Sequence, residues 1–138
     1  MTVFRSFASF LVLVVLAAAA TPLRAQETPP AVSSVVAAFA QGNARALTDA
    51  SADRLDVSLP GGASVYSRAQ ARLIFSRFFD ETSPRGFRVE HRMGSGAAYF
   101  VTGRYTSREG AFTVLLRFGS RGNSWELREV HVERHGLE

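Results

Sequence analysis

Residues 86–134, GFRVEHRMGSGAAYFVTGRYTSREGAFTVLLRFGSRGNSWELREVHVER, decide the fold, because from Gly86 onward the apolar period falls to two and stays there. Phe87, Val89, His91 and Met93 alternate with Arg88, Glu90 and Arg92. Tyr99, Val101 and Tyr105 share one side of the next run, with Phe100 on the other. Phe112, Val114, Leu116 and Phe118 alternate cleanly, and a last run extends from Trp125 to Arg134. Successive side chains of a strand point to opposite faces, so each run presents one apolar face to bury. Gly94-Ser95-Gly96, Ser107-Arg108-Glu109-Gly110 and Gly119–Asn123 separate the runs with short, glycine-containing turns. Four such runs joined in this way predict an antiparallel meander.

Working back from the meander, Ser67 with Gln70 three positions later is a capping-box pattern that opens a helix. Ala71, Ile74, Phe75 and Phe78 follow at helical spacing, with Phe79 widening the stripe, while Arg68, Arg72, Arg77 and Glu81 lie away from it. An aromatic stripe of this kind packs on a sheet. Upstream, Leu55, Val57 and Leu59 alternate with Asp56 and Ser58 as a half-buried strand, Pro60-Gly61-Gly62 stops it, and Val65-Tyr66 begins a brief return strand. Further back, Val32, Val35, Val36 and Phe39 mark one face of a helix, with Thr28 as its cap and Pro29 in its first turn. Gly42 ends that helix in a left-handed conformation, and Asn43 caps a second, short one carrying Leu47 and Ala50. The order predicts an α+β domain with its helices on one face of a curved sheet.

The beginning of the chain belongs to a different kind of segment. Arg5 precedes the apolar run Phe7–Ala20, interrupted only by Ser9, and Thr21-Pro22-Leu23-Arg24-Ala25 ends it on a small residue. A charge, a short apolar core and a small residue at the cut are the requirements of a secretory signal peptide, and the run is shorter than the roughly 18–20 apolar residues that span a bilayer. The expectation is a signal over residues 1–25, a polar lead over 26–30 and a single domain over 31–138, exported to the periplasm or the medium with no membrane attachment after cleavage. The chain has no cysteine, which excludes disulfides, thiolate metal sites and lipid attachment at a cysteine. Its 16 basic residues are all arginine, and loss of Arg5 and Arg24 leaves 14 basic against 12 acidic residues. These arginines are scattered singly between acids. Nucleic-acid binding needs clustered cations that displace counterions, so this composition speaks against it.

The helix–helix–strand–strand–helix–meander order over residues 31 to 135 resembles the nuclear-transport-factor-2-like (cystatin-like) superfamily, a cone-shaped α+β fold. Val57-Ser58-Leu59-Pro60-Gly61, Val65-Tyr66-Ser67 with Gln70-Ala71, Phe78-Phe79, Gly42-Asn43-Ala44 with Ala46-Leu47, and the ending from Trp125 to Glu133 are similar to the uncharacterised bacterial domain-of-unknown-function group 4783. That group carries no assigned activity, so the resemblance implies fold and export and brings over no catalytic residue. The superfamily resemblance implies a cone closed at one end by apolar side chains and open at the other as a pocket. Function must then be argued from the pocket's own residues.

Three residues are candidates for acid–base chemistry. Asp56 lies on the side of its strand opposite Leu55, Val57 and Leu59; facing a pocket it would serve as a general base, and facing water it is an ordinary strand residue. Glu129 and His131 share a side with Trp125 and Leu127, yet Val130 and Val132 claim the other side as apolar. Either the pocket face switches along this strand or a bulge near Arg128 shifts the register and turns Glu129 and His131 to the surface. His91 shares its side with Val89 and Met93 and reads as a core or rim histidine. His131 and His135 stand four apart on a strand, roughly 13 Å, so the histidines do not form a metal set, and no cofactor motif is present. Tyr66, Tyr99, Tyr105 and Trp125 would bring polar tips into an apolar pocket and orient a small ligand. The expectation is a non-enzymatic module for a small apolar ligand or a protein partner, using the cone pocket or the outer sheet face, on which two copies could also pair. The alternative is an isomerase- or dehydratase-like enzyme using Asp56 with His131 or Glu129.

Overall fold

The computed structural model describes residues 28–136, so the expected signal peptide over residues 1–25 lies outside the described residues. Helix α1 (Pro30–Gln41) places Pro30 at its first position, where a missing N–H costs nothing. Thr28 does not cap it. Pro29 occupies the cap position without a side-chain bond, and the Thr28 hydroxyl instead accepts from Arg92 Nη1 at 3.2 Å. Gly42 ends α1 at φ 67°, and a Cβ there would lie 2.6 Å from Pro84 Cγ, so both backbone and space demand glycine. Asn43 accepts from the Ala46 N–H at 3.0 Å and opens α2 (Ala44–Asp49). The Ser67–Gln70 capping box forms in both directions and starts α3 (Arg68–Thr82).

Six strands form one sheet. β1 (Ser51–Leu59) and β2 (Gly62–Ser67) make a hairpin, the return strand being six residues long rather than a brief pair. The meander is β3 (Pro84–Ser95), β4 (Ala98–Ser107), β5 (Gly110–Arg121) and β6 (Ser124–Arg134). The spatial order is β2-β1-β6-β5-β4-β3, and the joint between hairpin and meander is the parallel pair β1–β6.

The helices cover one face of this sheet, and the core lies between. Tyr105 on β4 is fully buried and its ring meets those of Phe39 on α1, Phe78 and Phe79 on α3 and Phe112 on β5, at centroid distances of 5.6–6.1 Å. Offset and edge-on aromatic pairs at such distances each add about 0.5–1.5 kcal/mol beyond the area they bury. One ring thereby ties both major helices to the middle of the meander.

Two bulges set which side chains face inward, and the one on β6 keeps the inner face apolar. On β6, Phe118 pairs with Leu127 but Arg117 pairs with Glu129, leaving Arg128 as an extra residue. The alternation restarts after it, so Leu127, Val130 and Val132 all point inward and Glu129 and His131 outward. On β3, Val89 pairs with Gly103 and His91 with Thr102, so Glu90 is the extra residue. This corrects the reading of His91 as a core or rim histidine: beyond the bulge His91 and Met93 turn to the outer face, His91 exposed and Met93 64% exposed.

Gly103 shows how closely the sheet is packed on its inner side. A Cβ there would lie 2.5 Å from Phe87 Cε1 and 2.8 Å from the Arg88 carbonyl oxygen, whereas at Gly86 the nearest atom is 3.6 Å away. Gly103→Ala is expected to lose about 1–3 kcal/mol by overpacking, measured by urea unfolding, with Gly86→Ala close to wild type as the control. Equal stability of the two variants would contradict the close approach of Phe87.

Candidate functional site

The residues that leave α3 on its sheet-facing side do not all reach the core. Phe75, Phe78 and Phe79 are buried, but Ile74 is only half-buried, and beside it α3 stands off from the β1–β2 hairpin. The gap is an open hollow of about 800 Å³. Ile74 and Phe78 form its helical wall, Leu59 and Tyr66 come from the inner face of the hairpin, and Phe112 supplies the floor. The hairpin turn Pro60-Gly61-Gly62-Ala63 edges it and offers little side chain to fill it.

Four charged side chains stand around the apolar walls: Arg77 and Glu81 from α3, Glu109 from the β4–β5 turn and Arg134 from the end of β6. Among the described residues, none of the four is in an ion pair. Arg134 nonetheless rests on one of the walls. It neighbours Phe112 across the β5–β6 pair, and its guanidinium carbon lies 5.4 Å from the centre of that ring. Arg77 and Glu81 sit one helical turn apart, and both reach the rim of the hollow rather than pointing away from it as their offset from the aromatic stripe suggested.

Thr82 closes the inner end of the hollow and links it to Tyr105. The Thr82 hydroxyl donates to the Phe78 carbonyl at 2.8 Å, so the Tyr105 hydroxyl donates to Thr82 Oγ1 at 2.7 Å. Burial pushes the Tyr105 phenol above its ordinary value of 10.0, and the Thr82 hydroxyl, which can turn to donate to a phenolate, offsets part of the rise.

The residues singled out from the sequence are dispersed over three places. Tyr66 lines the hollow, and Tyr105 lies beneath it among the aromatic rings. Tyr99 and Trp125 pack edge-on at 6.1 Å around a separate small depression of about 270 Å³ next to Pro29. Asp56, Glu129 and His131 all lie on the outer face of the sheet, across from the helices. Asp56 stands beside Glu129 in the parallel β1–β6 register and borders a shallow groove with Arg54, Arg117 and Arg121. Glu129 is held by Arg117 at 2.8 Å, and His131 Nε2 is 2.7 Å from Glu133 Oε1. The bulge at Arg128 turns Glu129 and His131 away from the hollow, and Asp56 faces outward by the plain alternation of β1 with Leu55 and Val57. Among the described residues, no three histidine or acidic side chains gather where they could hold a metal ion. The charged residues that do face the hollow escaped sequence reading, and their one signal was the Arg77–Glu81 spacing beside Phe78.

The helices, the six-stranded sheet and a hollow open at one end define the nuclear-transport-factor-2-like class of α+β proteins. The family model described as Domain of unknown function (DUF4783) matches residues 32–133, and the chain belongs to that family. Its fold is similar to a DUF4783 family protein from Bacteroides ovatus, with 21% identity, a TM-score of 0.73 and coverage of 81% of this chain and 99% of that one. A DUF4783 family protein from Bacteroides fragilis aligns with 23% identity and a TM-score of 0.69 over 73% of this chain and 95% of its own. An NTF-2 like protein of unknown function from Silicibacter pomeroyi aligns with 16% identity and a TM-score of 0.56, covering 76% and 90% of the two chains. No match was found among curated proteins.

Tyr105 gives the site a pH signature. The unfolded chain releases a phenolic proton near pH 10 while the folded chain holds that of Tyr105, so stability from this residue is complete below pH 10 and falls as the pH rises through and beyond it. Wild-type stability, measured by urea unfolding from pH 8 to 11, is expected to drop more steeply above pH 10 than that of Tyr105→Phe. Parallel curves would contradict the buried, hydrogen-bonded phenol.

Proposed function

We propose that the chain is an exported, non-enzymatic binding module that holds a small amphipathic molecule in the hollow between α3 and the β1–β2 hairpin. One observation carries this reading: an open hollow of about 800 Å³ lined by Ile74, Phe78, Leu59, Tyr66 and Phe112 together with Arg77, Glu81, Thr82, Glu109 and Arg134, a mixed apolar and polar lining suited to an amphipathic molecule. Volumes of about 300–1,000 Å³, mostly apolar with a few placed polar groups, are those of small-molecule sites. A ligand that covers the apolar part of the walls recovers about 25 cal/mol for each Å² removed from solvent. The acid–base alternative has less support. Asp56, Glu129 and His131 share the open outer face, and two of them are engaged by Arg117 and Glu133 rather than aimed at a common point. A general base needs hydrogen-bond reach to the proton it removes and a partner on the same substrate.

The neutral fluorophore N-phenyl-1-naphthylamine tests the hollow directly. Wild type is expected to brighten it saturably at one molecule per chain. Ile74→Trp, which grows a half-buried wall residue into the space, is expected to abolish that signal while leaving the circular-dichroism melting curve close to wild type. No fluorescence gain in wild type, or undiminished gain in Ile74→Trp, would overturn the assignment.

A further inference from the structure

We infer that the molecule held in the hollow carries a carboxylate, and that Arg134 grips it while the apolar remainder lies along the half-buried Leu59, Tyr66 and Ile74. This rests on the hollow being a ligand site and adds the chemistry of the headgroup. Of the four charged side chains at the rim, Arg134 is the one seen resting on a wall, its guanidinium carbon 5.4 Å from the centre of the Phe112 ring. A guanidinium resting on an aromatic face keeps its N–H groups in the plane of the fork, where they match the two oxygens of a carboxylate. No acidic partner occupies that fork among the described residues. Phe112 is itself buried, so the cation stands at the boundary between the apolar floor and water, the position a carboxylate takes when its chain is buried. Arg77 faces the same space from α3 and adds a second positive charge. Glu81 and Glu109 balance the two arginines, so the rim has no net charge with which to concentrate inorganic anions, and the apolar part of the ligand is required for binding. The ligand class is a monocarboxylate with an aliphatic or aromatic body.

Displacement of N-phenyl-1-naphthylamine at pH 7.5 and low ionic strength separates this claim from the one beneath it. The competitors are decanoate, decan-1-ol and decylamine, each below its aggregation concentration, against wild type, Arg134→Gln and Arg134→Lys. Wild type is expected to bind decanoate about tenfold more tightly than decan-1-ol, with decylamine weakest. In Arg134→Gln the decanoate preference is expected to shrink to about twofold with decan-1-ol unchanged, and Arg134→Lys, which keeps the charge without the fork, to fall between. Equal binding of decanoate and decan-1-ol by wild type, or a preference that survives in Arg134→Gln, would overturn the carboxylate assignment while leaving the hollow as an apolar site. Failure of wild type to bind the fluorophore and all three competitors would overturn both.

Discussion

The structure depends on burying one face of a six-stranded sheet beneath the aromatic ridge of α3. Phe75, Phe78 and Phe79 leave water together with the inward side chains of β1, β4, β5 and β6, which must all turn apolar groups the same way. Tyr105 is where that demand converges, in contact with rings from α1, α3 and β5 and hydrogen-bonded to Thr82 at the end of α3. An unpaired phenol at this depth would cost about 1–3 kcal/mol, so the Thr82 bond is a condition of placing a tyrosine there. Strict alternation would break the apolar face on β6, and one extra residue, Arg128, repairs it, whereas on β3 the extra residue Glu90 brings Arg92 opposite the inward-facing Val101 and sends Met93 to water. On the outer face, Arg128 lies over Gly119, where a Cβ would collide with its guanidinium, so bulge and glycine are matched.

The hollow follows from the same packing. The ridge of α3 descends on the meander, and the β1–β2 hairpin joins the meander through the parallel β1–β6 pair alone. The hairpin turn brings Gly61 and Gly62 to the edge of the space, neither with a side chain to fill it. Arginine and glutamate side chains at the rim can remain hydrated while their stems cover apolar wall. Rigid aromatic walls on one side and a lightly furnished hairpin on the other make a site whose shape is set by the core and whose mouth remains accessible.

Much of this was legible in the sequence because it is local. The Ser67–Gln70 capping box, the stripe from Ala71 to Phe79, the Gly42–Asn43 junction and the glycine turns of the meander each act within a few residues, and each element forms where those signals stand. Pairing information was less accessible. Glu90 is an extra residue only with respect to β4, so the phase reversal that exposes His91 and Met93 has no local mark. On β6 the conflict between Glu129–His131 and Val130–Val132 was visible, but its resolution at Arg128 required the partner Arg117–Phe118. The rim of the hollow was the least legible part. Arg77, Glu81, Glu109 and Arg134 come from three segments far apart in sequence, and charged residues beside an apolar stripe look the same whether they face a hollow or bulk water.

Single-cysteine labelling along β6 tests the central claim, that the inner face of the sheet is kept apolar by the Arg128 bulge, in a chain that has no cysteine of its own. A thiol in His131→Cys is expected to react within about tenfold of the rate of a free thiol, and one in Val132→Cys only on unfolding, about a hundredfold or more slower. Protection at position 131 with ready reaction at position 132 would place the acids of β6 against α3 and contradict the account.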